Sequence, residues 1–331
     1  TARTYKLFKN VSGSDVTFDP QLVNWNAPGG DWTDLTNAIK QVSKTNNVTV
    51  GTGEYFRDLW DVQRVSAQPF ADVNLRASST TASTLLDMTS TGMAGIGHDG
   101  VELNVRKAHS GGFLRILTTG NLVDVSGTGG PAATAQEYIS LISDGEIGTK
   151  TSPFTINAAG DGVLLVQSAG HANIEQLGGT LTAERALVGG DLTLKMAGNL
   201  KIGDIDAFGT VKLDVGGDVT DLAADDADPA ADITASALVL DVDGSFGASG
   251  ARVDIDIATA TEGTVGGALY VHDFALFTLN DTGLTVTGLA DIFAEQSMQG
   301  SAAGTLSAGG MVLRSKLGNI GDITQRFDIL L

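Results

Sequence analysis

The sequence predicts an all-β chain wound as a right-handed parallel β-helix, with an N-terminal region of mixed character. Three observations lead there. Short runs of strict alternation fill most of the chain, among them "VELNV" (101–105), "LTLKM" (192–196), "VKLDV" (211–215), "LVLDVDG" (238–244), "VDIDI" (253–257) and "LTVTG" (284–288). Each puts apolar residues on one face and Asp, Lys or Thr on the other, the mark of a half-buried strand. No helical pattern separates them, which argues against a βαβ fold. Finally, one phrase is written twice: "GEIGTKTSPFTI" (145–156) and "GNIGDITQRFDI" (318–329) share G-x-I-G, five residues, then F-x-I.

Residues 1–90 come first and have a different texture. They hold all three tryptophans, Trp25, Trp32 and Trp60. In "GGDWTDLTNAIKQVSK", Leu35, Ala38, Ile39 and Val42 fall at i, i+3, i+4 and i+7. That spacing predicts an amphipathic helix over about 33–44, with Asp31 or Thr33 as N-cap. Trp25, Trp32 and Trp60, with Tyr55 and Phe56, form either a ligand-stacking platform or the core of a cap. The stretch "RASSTTASTLLDMTSTG" closing this region reads as linker or polar strand.

Residues 91–331 form the predicted repeat shaft. The repeated phrase reads as a corner and a strand of one coil. Gly145 and Gly148 bend the chain around a buried Ile147, and Phe154 and Ile156 fill the core. Gly318, Ile320, Gly321, Phe327 and Ile329 repeat the pattern. Looser copies are "GSFGASGARVDI" (244–255) and "AGIGHDGVELNV" (94–105). A second phrase, two glycines, one residue and an aliphatic, starts at 178, 189, 216, 266 and 309, at irregular spacing. Sandwiches and propellers also build from short strands, but slim Gly, Ala and Asn turns suit coils stacked about 4.8 Å apart.

Composition narrows the function. Twenty basic against 39 acidic residues give a net charge of −19, which disfavours nucleic acid and anionic membranes as partners. The absence of cysteine removes disulfides, thiolate metal sites and a cysteine nucleophile. No apolar run is long enough to insert in a membrane. The start on "TARTYKLFKN" and the apolar end "FDILL" suggest a piece of a larger protein or an end-to-end contact between copies. The four histidines, His98, His109, His171 and His272, follow no zinc-protease spacing, and no nucleophile elbow or P-loop is present.

Two calcium readings arise. "AGIGHDGVE" departs from the calcium-binding nonapeptide only at Ala94, which would make Asp99 a ligand; the pattern normally works in tandem copies. The loop "AADDADPAAD" clusters Asp225, Asp226, Asp228 and Asp232. Alternating Asp241, Asp243, Asp254 and Asp256 read as a solvated outer face.

The phrases "GEIGTKTSPFTI", "GNIGDITQRFDI", "GGDLTLKMAGNLKIG" and "VKLDVGGDVTDL" resemble the repeats of filamentous haemagglutinin-like exoproteins, the giant bacterial adhesins of two-partner secretion. The resemblance covers about 91–331 and implies a β-helical shaft, an extracellular location at the bacterial cell surface and a non-catalytic role in adhesion. Its partners would be a cell-surface glycan or protein receptor, or other copies of the chain. Two rivals stand beside it: a self-assembling filament or sheath subunit, and a polysaccharide-active β-helix enzyme, which a lateral groove with paired carboxylates or a lysine–carboxylate set would favour.

Overall fold

The computed structural model of the chain is a parallel β-solenoid of about 11 turns with almost no helix. It describes residues 83–223, 230–321 and 326–331, together with the backbone of seven short strands between residues 4 and 79. The helix expected over 33–44 lies outside the described residues. Two compact units are present, Thr1–Asn157 and Ala158–Leu331.

In the first unit, Val73, Ala94, Leu114 and Ile139 stand in one column and Leu75, Ile96, Ile116 and Leu141 in the next. On another face Leu103 pairs with Thr84 before it and Leu122 after it. The segment expected to be linker or polar strand is strand: Thr84–Ser90 pairs in parallel with Glu102–Ser110, carrying the ladder across residue 90. One antiparallel pair, Thr4–Leu7 with Gln21–Asn24, stands apart from this pattern.

In the second unit, Leu181, Leu200, Val219, Phe246, Leu269, Ala290 and Met311 form a single column. Its members lie 19, 19, 27, 23, 21 and 21 residues apart, so coil length varies while register is kept. The first six are fully buried. Burying an aliphatic or aromatic side chain of this size contributes about 1.5–3 kcal/mol, which fixes the inner face of every strand.

The corners obey one rule. A polar side chain at the corner of one coil accepts the backbone N–H of the corner residue on the next. Asn121 Oδ1 takes Glu146 N–H at 2.9 Å, Asp191 Oδ1 takes Thr210 N–H at 2.9 Å, and Asn199 Oδ1 takes Asp218 N–H at 2.9 Å. Asp218 then takes Ser245 at 2.8 Å, Ser245 takes Ala268 at 3.1 Å, and Ser297 takes Asn319 at 3.1 Å. Each accepting oxygen lies where a Cβ would sit on the residue just before the donor. That residue is Gly145, Gly209, Gly217, Gly244, Gly267 or Gly318. Glycine is required here because another group occupies the space of its side chain.

The same rule explains the irregular double-glycine spacing. Gly179, Gly198, Gly217, Gly244, Gly267 and Gly288 stack at one corner, each one after Gly179 facing the one before it. The pair at 189–190 belongs to a different corner, against Ala169 and His171. Counting from 189 to 216 therefore compares two corners, not two turns of one.

The repeated phrase makes one backbone figure three times. Ile147 bridges Leu122, Phe246 bridges Val219, and Ile320 bridges Met298. In every case the bridged residue donates to the carbonyl before the apolar residue and accepts from the N–H after it, all at 2.8 Å. The closing glycine is left-handed, with φ of 61° at Gly148, 75° at Gly247 and 71° at Gly321. Only glycine adopts this region without steric cost.

The copies differ in what surrounds them. Ile147, Phe154 and Ile156 are fully buried, as are Phe246, Val253 and Ile255. Ile320 and Ile329 stay 46% and 53% exposed, because no described coil covers them. The copy at 318–329 also stands on another face from the copy at 244–255. Ile320 follows Phe277 and Met298, whereas Phe246 follows Val219. Phe327 rests on Phe277 with ring centroids 6.3 Å apart.

Candidate functional site

The outer face of the second unit carries a lateral groove of about 450 Å³. One wall is a column of outward side chains on successive coils, Glu175, Lys195, Asp214 and Asp241, held in line by strand register. The floor is open because Ala197 and Gly216 carry little or no side chain at the adjoining corner, between Leu177 and Asp243. Lys195 Nζ reaches Glu175 at 3.0 Å. The hydrogen bond and charge of Glu175, then the charge of Asp214, raise the lysine's pKa and keep it an ammonium. Thr264, next in the column, donates to Asp241 Oδ1 at 3.3 Å. The groove thus offers one cation and three carboxylates on successive rungs about 4.8 Å apart, with Lys195 between Glu175 and Asp214. The carboxylates can accept hydrogen bonds from a polyhydroxylated or cationic ligand, and the Lys195 ammonium can donate to one.

A second constellation lies on the later coils of the same unit. His272 Nδ1 is 3.2 Å from Asp254 Oδ1, and its Nε2 is 3.4 Å from Glu295 Oε1. Lys316 closes on Glu295 at 2.7 Å, and its ammonium and hydrogen bond lower the Glu295 pKa. Phe274 and Phe293 flank the imidazole with centroids 4.4 and 4.9 Å away. Beside this row, Arg252 and Arg314 both grip Asp291. Asp254, expected on a solvated outer face, is only 7% exposed, because His272 lies against it and its N–H donates to Asp232 Oδ2 at 2.8 Å.

The residues singled out from the sequence separate accordingly. Asp99 is the last but one residue of the strand Ala94–Gly100 and accepts from Thr119 Oγ1 at 3.1 Å. Its neighbour His98 is a core residue, hydrogen-bonded to Thr118 Oγ1 at 2.9 Å and Thr84 Oγ1 at 3.1 Å. Burial lowers its pKa to about 4 against the opposing charge of Asp99, so the ring is neutral at pH 7. Asp232 is engaged by the backbone of Asp254. Asp225, Asp226, Asp228, Trp25 and Trp32 lie outside the described residues, and the side chain of Trp60 is likewise not described. Among the described residues, no three His, Asp or Glu side chains converge as a metal ion would require.

The groove was missed in the sequence because its members come from four coils of unequal length. Asp273 was missed although its signal was present: "LYVHD" alternates, and Leu269 and Val271 point inward, so Asp273 must as well. It is fully buried. Against known proteins, no family model, no curated protein and no solved structure matches this chain.

Proposed function

We propose that the chain is a non-catalytic structural or adhesive segment of a secreted bacterial surface protein, presenting its outer faces to a cell-surface glycan or protein receptor. One observation carries this reading. Basic side chains on the outer faces pair with acids on neighbouring coils: Arg106 with Asp87, Lys195 with Glu175, Arg185 with Asp204, and Lys316 with Glu295. Exposed pairs of this kind contribute only about 0.2–1 kcal/mol each. Their consequence is register, since a slipped coil would bring like charges together. The resemblance to the haemagglutinin-like exoproteins supports the same conclusion.

The lateral groove favours a second reading, a polysaccharide-active enzyme, because it sets a lysine beside stacked carboxylates. One experiment separates the two. The full chain is incubated with a panel of immobilised polysaccharides and with cell-surface protein, scoring both retention and release of reducing ends. Retention without release supports the adhesive reading. Release that disappears in Asp214→Ala would replace it with the enzyme. Fibres seen by electron microscopy, with neither retention nor release, would replace it with the filament subunit.

A further inference from the structure

Asp273 occupies a position that the fold gives elsewhere to apolar residues. Its column runs Ala186, Ile205, Ile233, Ile255, Asp273 and Ala294, all fully or almost fully buried. Oδ1 accepts the N–H of Ala275 at 2.8 Å, while Oδ2 is buried with no hydrogen-bond partner. A carboxylate left in this state has only the Ala275 N–H to offset its desolvation. A carboxylic acid fits far better.

The ionisable groups around it give no relief. The preceding strand carries Asp254 and Asp256, and Asp273's own strand carries His272, which faces Asp254 and Glu295. Just past the following strands lie Glu295 and Lys316, already joined to each other. No described cation reaches the buried carboxyl.

We propose that Asp273 makes the coil from Leu269 to Ser297 a proton-operated latch, seated while the buried acid holds its proton and loosened when it gives the proton up. This inference does not rest on the adhesive reading. Burial, seconded by the charge of Asp256, raises the Asp273 pKa from 3.8 to about 7. The seated coil therefore binds the proton more tightly than the opened coil does. Its proton-dependent stability is complete below about pH 4, is lost as pH rises to about 7, and is level above that.

The test is hydrogen exchange of the full chain between pH 4.5 and 8.5, corrected for the intrinsic exchange rate at each pH. Peptides covering Leu269–Ser297 are compared with those covering Leu192–Val215, which serve as reference. Relative opening of the Asp273 coil should rise about tenfold per pH unit up to pH 7 and then level off. In Asp273→Asn the rise should vanish. Asp273→Ala, no larger than the Ala294 that follows it in the column, carries the same expectation should the asparagine variant fail to fold. A wild-type coil that tracks the reference at every pH would overturn the proposal. So would a pH dependence that persists in a folded variant.

Discussion

Replacing Gly217 by alanine is the sharpest test of the corner rule. Gly217 is not among the left-handed glycines, so conformational strain does not confuse the result. An added Cβ would lie 2.9 Å from both the carbonyl carbon and oxygen of Gly198, and well inside contact distance of Asn199 Oδ1. Asn199 can swing aside, but it then releases the N–H of Asp218 that it holds at 2.9 Å. Losing that bond costs about 0.5–1.5 kcal/mol. Easing the backbone contact costs about 1–3 kcal/mol more, as overpacking does elsewhere. The expected destabilisation is the sum, about 1.5–4.5 kcal/mol. Asn199→Ala alone should cost only the hydrogen-bond share, about 1 kcal/mol.

The decisive quantity is the coupling. In the double variant the alanine at 217 no longer displaces a side chain, so its cost should fall short of the summed single costs by about 1 kcal/mol. Stacked repeats need not unfold in one step. The measurement is therefore local opening by hydrogen exchange over Leu200–Asp221, with urea midpoints beside it. A Gly217→Ala cost under about 0.5 kcal/mol, or strict additivity in the cycle, would refute the rule.

Other outcomes follow from single environments. His98 is neutral in the fold with its pKa lowered to about 4 from 6.5, so stability around it is full above pH 6.5 and lost as pH falls toward 4. Hydrogen exchange over Thr84–Thr118 should show a loss of about 1–2 kcal/mol across that window, absent in His98→Gln. A pH-independent exchange pattern there would contradict the neutral core assignment. Phe154→Ala should cost about 3–5 kcal/mol by urea unfolding, because Phe154 is fully buried. Phe327→Ala should cost less than half as much, since Phe327 is only partly covered; equal losses would mean the two copies of the phrase are equally enclosed.

His98 and Asp273 illustrate how much a strand pattern can tell. Both sit at inward positions of alternating runs, a signal that period two carries although neither residue was read as buried from the sequence. Burial drives both shifts, and the responses to pH are opposite because an imidazole becomes charged on gaining a proton and a carboxyl on losing one. Thr84 and Thr118 satisfy both nitrogens of His98. Asp273 has only the N–H of Ala275. Neither set of neighbours can be found without knowing which residues one coil away come into register. Asp254 makes the same point from the other side. Alternation puts it outward, and His272 and Asp232 then cover it.

By itself the sequence determined the β-solenoid, the inward aliphatic residues of its alternating runs and the glycines that bend the repeated phrase. These depend on interactions within a few residues: alternation across a strand, slim turns, and the left-handed glycine closing each G-x-I-G figure. The tertiary structure alone decided which corner each double glycine serves, which carboxylates line the groove, and where the copy at 318–329 falls. The physical reason is coil length. With successive turns of 19 to 27 residues, no fixed period relates neighbours along the column, and only the packed register brings them together.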